Sequence, residues 1–196
     1  MKQDAVKAIY SWQFYNCTKL WVLALCKHRA ELVLLINPIV QLIIGSLKLS
    51  SSIKYFPFHV KLFDLLSSIN EQTDEFIPIQ YLLYPFEQQG GSTYLNSKNK
   101  KLEDKIIPES IVSLKIAKKH MDTSEMKDRI VKEALEHLTI AMAANSRYLC
   151  FPEMNIGMSL ILRKFKKNTT NPNYRKLIQS FLEVLKQNED LVLEKR

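Results

Sequence analysis

Proline repeatedly stands just behind a bulky apolar residue and just ahead of an apolar segment. The strings are "INPIVQLIIGSL" from Ile36, "YFPFHVKLFDLL" from Tyr55, "EFIPIQYLLYPF" from Glu75 and "CFPEMNIGMSLIL" from Cys150. Pro38, Pro57 and Pro78 follow one another at 19 and 21 residues. Proline is cheap at the first helical position, where its missing N–H would go unpaired anyway. After Pro57 the apolar residues Phe58, Leu62, Leu65 or Leu66 and Ile69 recur at helical spacing. The punctuation therefore points to a series of short helices. Only 4 glycines in 196 residues argue against a β-rich fold or a glycine-built phosphate site.

Along the chain, a first helix is expected over about residues 4–27, its bulky positions Ile9, Trp12, Phe14, Leu20, Trp21, Leu23 and Leu25 spread widely enough to be buried on more than one side. A second apolar segment runs from Glu31 to about Leu49, with Asn37 as a possible N-cap before Pro38. Its uncharged stretch, Leu32 to Leu47, is 16 residues long. That falls short of the roughly 20 a bilayer requires, so a buried helix is expected. The Pro57 helix should end near Asn70, and a helix from Pro78 should be short or kinked by Pro85. The polar segment Glu87–Lys105, with Gly90-Gly91, reads as an exposed loop, and "SIVSLKIAKK" alternates with the period of an extended strand.

Helix returns after Asp122, which with Glu125 resembles a capping box. Glu125–Arg129 and Asp128–Lys132 add i,i+4 pairs of about 0.2–0.5 kcal/mol each. Ile130, Ala134, Leu138 and Met142 share a face. Phe151-Pro152 opens another helix, and Asn171-Pro172 supplies an N-cap and a first-turn proline for the last one, striped by Tyr174, Leu177, Ile178, Phe181, Leu182 and Leu185. The expected architecture is all-α: one domain over residues 1–196, a stacked helical-repeat solenoid of the HEAT or armadillo kind with one long polar loop. Apolar helices fill about residues 1–86, the basic loop and extended segment 87–121, and the C-terminal helices 122–196.

Charge divides the chain. Residues 1–97 carry 8 Lys and Arg against 7 Asp and Glu; residues 98–196 carry 20 against 13. A basic half points to an anionic partner, nucleic acid being the commonest, against the plainer reading of a solvated surface. Two clusters stand out: Lys98, Lys100, Lys101 and Lys105 in the loop, and Arg163, Lys164, Lys166 and Lys167 at a helix end. Either would contact phosphate with little sequence discrimination, although cations at a helix C-terminus are favourable for the dipole alone. Tyr94 lies where it could stack on a base. Tyr55, Phe56, Phe76 and Phe151 read as staples between adjacent helices.

No P-loop, G-x-G-x-x-G, H-E-x-x-H or G-x-S-x-G motif occurs. Cys17, Cys26 and Cys150 are scattered, as are the four histidines, so buried thiols in a reducing compartment are expected, with no zinc site and no cofactor. Cys150 has no evident base, and a structural thiol is the better reading than a nucleophile. The opening residues lack the form of a signal peptide.

The strings "YSWQF" (10–14), "NPIVQLIIGSLKL" (37–49), "KYFPFHVKLFDLLSS" (54–68), "TDEFIPIQYLL" (73–83) and "CFPEMNIGMSLILRKF" (150–165) occur in that order, followed by the tail helix from Asn173. Together they resemble the conserved C-terminal region of the nucleolar complex protein 2 family. Trp12, Tyr55, Pro57, Pro78, Phe151 and Pro152 are the structural residues within those strings. The resemblance implies a non-enzymatic helical-repeat factor in large ribosomal subunit biogenesis. Such a factor acts in the nucleolus and nucleus with another nucleolar complex protein, pre-ribosomal particles and rRNA, and without membrane or small-molecule substrate. Members are usually much longer, so a fragment or a reduced homologue is expected. The alternative is a helical-repeat adaptor that binds protein alone.

Overall fold

The computed structural model describes residues 2–50, 52–73, 77, 82–87, 91–98 and 113–196. Its α-helices are α1 (Lys2–Ile9), α2 (Trp12–Lys27), α3 (Arg29–Lys48), α4 (Phe56–Thr73), α5 (Gly91–Leu95), α6 (Ser124–Asn145), α7 (Phe151–Asn168) and α8 (Pro172–Leu193). No strand occurs among the described residues. The all-α expectation holds. Pro78, Phe76 and most of the polar loop lie outside the described residues.

The helices form a row in which α2 packs on α4, α4 on α6 and α6 on α8, with α3 set against α2 and α4 and α7 against α8. The central member is α4, where 13 of 18 residues are buried. One side of it, with Phe58, Leu62, Leu65, Leu66 and Ile69, joins Val22, Leu25, Ile36, Val40, Ile43, Ile44 and Leu47 in a core under α2 and α3. Its other side, with Phe56, Val60 and Phe63, joins Ile130, Ala134, Leu138, Phe151, Leu162, Phe165, Ile178 and Phe181 in a second core under α6, α7 and α8. At its C-terminal end the Asn70 amide donates to Asn145 Oδ1 on α6 at 3.0 Å, and Arg147 donates to the Asn70 carbonyl at 3.1 Å.

Helix starts follow the capping chemistry. Ser11, in extended conformation, accepts from the Phe14 N–H at 3.2 Å. That cap breaks the single first helix expected over residues 4–27 into α1 and α2. The gap holds Tyr10, whose ring stacks on Tyr55 at 4.1 Å and meets Phe58 at 4.8 Å. Thr123, rather than Asp122, caps α6 by accepting from the Met126 N–H at 3.3 Å. Asn171 caps α8 as read from the sequence, accepting from the Asn173 N–H at 2.9 Å.

Two readings of the first half are overturned. Pro38 lies inside α3 instead of starting a helix after an Asn37 cap; residues 29–36 are already helical. Pro38 is tolerated there on the exposed side of the helix. Nor are α2 and α3 buried all round. Only Thr18, Val22 and Leu25 of α2 are buried, and Trp21 is 54% and Leu34 85% exposed. By length and composition α3, with a mean hydropathy of 1.9, is apolar enough to cross a membrane. Its inner face, however, is occupied by α2 and α4.

The period-two pattern after Ser113 survives as burial without a strand. Leu114 and Ile116 are buried while Lys115 and Ala117 are exposed, and the Ile116 N–H donates to the Lys54 carbonyl at 2.7 Å. The cysteine expectation fails for two of the three: Cys17 and Cys150 are exposed, one on the outer side of α2 and one at the corner before α7.

Two consequences are measurable. Gly91 lies so close to the Pro85 backbone that any Cβ there would overlap it. Gly91→Ala should lower stability by about 1–3 kcal/mol or more in urea unfolding. His59 is buried, its Nδ1 3.0 Å from the Tyr84 hydroxyl, and burial pushes its pKa from 6.5 down to about 4. The fold favours neutral imidazole, so the contribution of His59 is complete above pH 6.5 and is lost as pH falls toward 4. Unfolding at pH 7 and pH 4.5 should show about 2–3 kcal/mol of extra acid sensitivity that His59→Gln removes.

Candidate nucleic-acid interface

One described member of each basic cluster, Lys98 and Lys167, stands beside a small polar lock between α5 and the corner joining α7 to α8. Asn96, just past α5, accepts at its Oδ1 from the Thr169 hydroxyl at 2.8 Å and from the Thr170 N–H at 3.3 Å. Thr169 is fully buried, and its carbonyl receives Arg175 Nε at 2.9 Å and Nη2 at 2.6 Å. Lys98 stands two residues beyond Asn96, and Lys167 two residues before Thr169. Lys98 and Lys167, 69 residues apart in sequence, thus flank one set of hydrogen bonds.

A second set ties in the turn before α6. The Lys127 ammonium donates to the Ser97 carbonyl and hydroxyl, both at 2.8 Å, and lies 5.2 Å from the centre of the Tyr94 ring. The Tyr94 hydroxyl donates to the Met121 carbonyl. Burial lowers the Lys127 pKa, an effect the nearby Asp122 opposes. Lys127 is therefore a buried positioning group and not a surface cation. The turn it helps fix exposes Lys118 and Lys119, which sequence reasoning left out although the adjacent pair was visible. The segments tied together here carry the exposed cations Lys98, Lys118, Lys119, Lys167 and Lys176, together with Arg175, which is bonded to the Thr169 carbonyl.

The other expected site residues divide. Lys164 is exposed. Lys166 instead donates to Gln179 Oε1 across α7 and α8, and Arg163 lies within electrostatic reach of Glu189 on α8. These two help hold the helix pair as well as add charge. Lys100, Lys101 and Lys105 lie outside the described residues. Tyr94 is not free to stack on a base: its hydroxyl is bonded, its ring is covered by Lys127, and burial raises its pKa.

The residues of the quoted strings are structural in differing degrees. Phe151 is fully buried in the second core, Pro57 is buried in α4, and Pro152 is half-buried in the first turn of α7. Tyr55 supports Tyr10. Trp12 is partly exposed, with the Lys61 ammonium 5.2 Å from its ring centre. Cys150 Sγ sits 3.4 Å from Met154 Sδ, a thioether unable to take its proton.

A family model described as the Noc2p family matches residues 1–196. Among curated proteins, the chain is similar to "Nucleolar complex protein 2" of Drosophila melanogaster, 24% identical over 197 residues covering 100% of this chain and 25% of that protein. It is similar to "Nucleolar complex-associated protein 2" of Arabidopsis thaliana, 25% identical over 198 residues, 99% of this chain and 25% of the relative. "Nucleolar complex protein 2 homolog" of Caenorhabditis elegans is 22% identical over 203 residues, 98% and 28% of the two chains. The chain thus spans about a quarter of the length of these relatives.

The lock itself is testable. Asn96→Ala leaves the Thr169 hydroxyl and the Thr170 N–H without their acceptor and should cost about 1–3 kcal/mol in urea unfolding. Asn96→Asp, which keeps an acceptor at the same place, should retain most of the stability.

Proposed function

The chain belongs to the Noc2p family, and from that premise we propose that it is a non-enzymatic assembly factor in large ribosomal subunit biogenesis. It acts in the nucleolus and nucleus, binding another nucleolar complex protein and touching pre-ribosomal RNA. Relatives named as nucleolar complex proteins, with no enzymatic activity in their names, support the coarse part of this reading. The row α2, α4, α6, α8, with α3 and α7 set against it, supports its scaffold character as a helical-repeat array.

The observation that carries the RNA contact is that the exposed Lys98 and Lys167 flank the Asn96–Thr169 lock, with the exposed Lys118 and Lys119 on the turn that Tyr94 ties to α5. A surface of exposed cations on a rigid corner suits phosphates: it gives affinity and salt dependence, with little reading of base sequence. A specific observation favours the competing reading of a protein-only adaptor. Arg163 and Lys166 have partners within the fold, so part of the basic helix end is already explained without RNA.

Reversing Lys98, Lys118, Lys119 and Lys167 to Glu together separates the two readings. The variant should lose most RNA association in a native pulldown across a salt series. The slope of log affinity against log salt should fall by roughly 0.7 for each single-strand phosphate contact removed. Lys186→Glu, on the exposed side of α8, should change little. An unchanged RNA yield and slope in the fourfold variant would leave only the adaptor.

A further inference from the structure

We propose that a cavity between the start of α4, the first half of α6 and segment 113–117 seats a tyrosine side chain of a partner protein, its hydroxyl bonded to the His120 ring. For the existence of a protein partner this rests on the assembly-factor reading, to which it adds a pocket and the chemistry of its guest. Among the described residues, three buried side-chain atoms have no hydrogen-bond partner: His59 Nε2, Asn145 Nδ2 and His120 Nδ1. His59 and Asn145 are each bonded through their other polar atom, to Tyr84 and to Asn70. His120 differs. It is 1% exposed and lines a cavity of about 100 Å³ together with Phe56, Pro57, Ile116, Met126 and Ile130. Its backbone is tied on both sides, the N–H donating to the Ala117 carbonyl and the carbonyl accepting from the Thr123 hydroxyl, each at 2.9 Å. The residue that caps α6 thus holds His120 against the cavity. A buried ring nitrogen without a partner is costly, and no group of the fold offsets it there.

Size and polarity select the guest. An apolar cavity of about 150 Å³ holds a whole benzene. This one, partly open, seats most of one six-membered ring. Its walls are mainly apolar, and His120 supplies one buried nitrogen in need of a partner, so a ring with a single hydroxyl fits. An O–H both donates and accepts, and so bonds to that nitrogen in either tautomer. A phenylalanine ring would fill the space and leave the nitrogen unpaired. A serine or threonine would pair with the nitrogen and leave the space unfilled. An unstacked RNA base carries polar atoms around its edge, and these walls would leave most of them without partners. The more exposed lining residues, Lys115, Arg129 and Glu133, set both signs of charge side by side, which suits a polypeptide better than a run of phosphates.

The test titrates the 196-residue chain with p-cresol, toluene and uridine while its amide resonances are followed by NMR. p-Cresol should shift the amides of Ile116, His120, Met126 and Ile130 first. It should bind about three- to tenfold more tightly than toluene, the margin of one added hydrogen bond. Uridine should leave these resonances in place. His120→Phe should abolish the preference for p-cresol, with circular dichroism showing whether that variant is folded. The comparison on the unsubstituted chain decides the matter even if it is not. To identify the source of the ring, Lys115→p-benzoylphenylalanine is introduced at the exposed rim of the full chain and irradiated in cells. The crosslinked peptide should come from one co-purifying protein and contain a tyrosine, and changing that tyrosine to alanine should lower the yield by about threefold or more.

Equal binding of p-cresol and toluene, binding of neither, or a preference that survives in folded His120→Phe overturns the proposal. So does a crosslink to RNA, to a second copy of this chain or to no macromolecule, the last assigning the cavity to a free phenol or to water. Failure of the underlying reading looks different. If p-cresol and the crosslink behave as described while the chain recovers neither a nucleolar complex protein nor large-subunit precursor RNA, the pocket stands and the assembly-factor reading fails. If the chain recovers both and p-cresol does not bind, only the pocket proposal fails.

Discussion

A helix with Phe58, Leu62 and Leu66 directed into one core and Phe56, Val60 and Phe63 into another cannot lie at the edge of a structure. Apolar surface on both sides of α4 has to be removed from water, and one layer of helices covers only one side. This two-sided burial requires α2 and α3 to pack on one flank and α6 on the other. The Asn70–Asn145 hydrogen bond, with the Asp64–His137 contact further along, then fixes the junction with α6. From α6 the order continues outward to α8 and α7, and the corner between those two is the one that meets α5. The placement of the basic end is in that sense a consequence of α4.

Much of this order was legible in the residues, and where it was not the cause is physical. Prolines at helix starts identified α4, α7 and α8 because a residue without an N–H has few comfortable places. The stripe Ile130, Ala134, Leu138, Met142 was visible because α6 packs along its length with one face inward. The same logic misled at Pro38: on the exposed side of a helix, the lost hydrogen bond and a local bend are absorbed without ending it. Trp21, Leu20 and Leu34 look like core in the sequence because composition cannot tell apolar surface covered by the chain itself from apolar surface left outside. The basic end was legible as two lists of lysines. Its assembly was not, because it depends on Asn96 and Thr169, uncharged residues 73 apart in sequence. The role of Tyr94 is hidden for a related reason, since only the fold shows Lys127 over its ring.

The fold thus keeps two kinds of surface apart. The apolar outer side of α2 and α3 belongs to the first core's flank, and the exposed Lys98 and Lys167 stand where α5 meets the far flank. Under the proposed reading this separation lets protein and RNA be held at once without competing for the same residues. Burial of His59, Lys127 and Thr169 supports the surfaces from beneath, through hydrogen bonds rather than through groups exposed to a ligand.

The dependence of both surfaces on α4 is open to direct measurement by native-state hydrogen exchange across low denaturant concentrations. If α4 is the shared wall, the amides of Leu62, Leu66 and Ile69 exchange slowest. Those of Ile43 and Ile44 in α3 and of Ile178 and Phe181 in α8 should then merge with them into one global opening as denaturant rises. The contrary result is an α2–α3 unit that opens at distinctly lower free energy while α4, α6 and α8 stay protected together. That pattern would show two independent cores that merely touch, and the account built on α4 would be wrong.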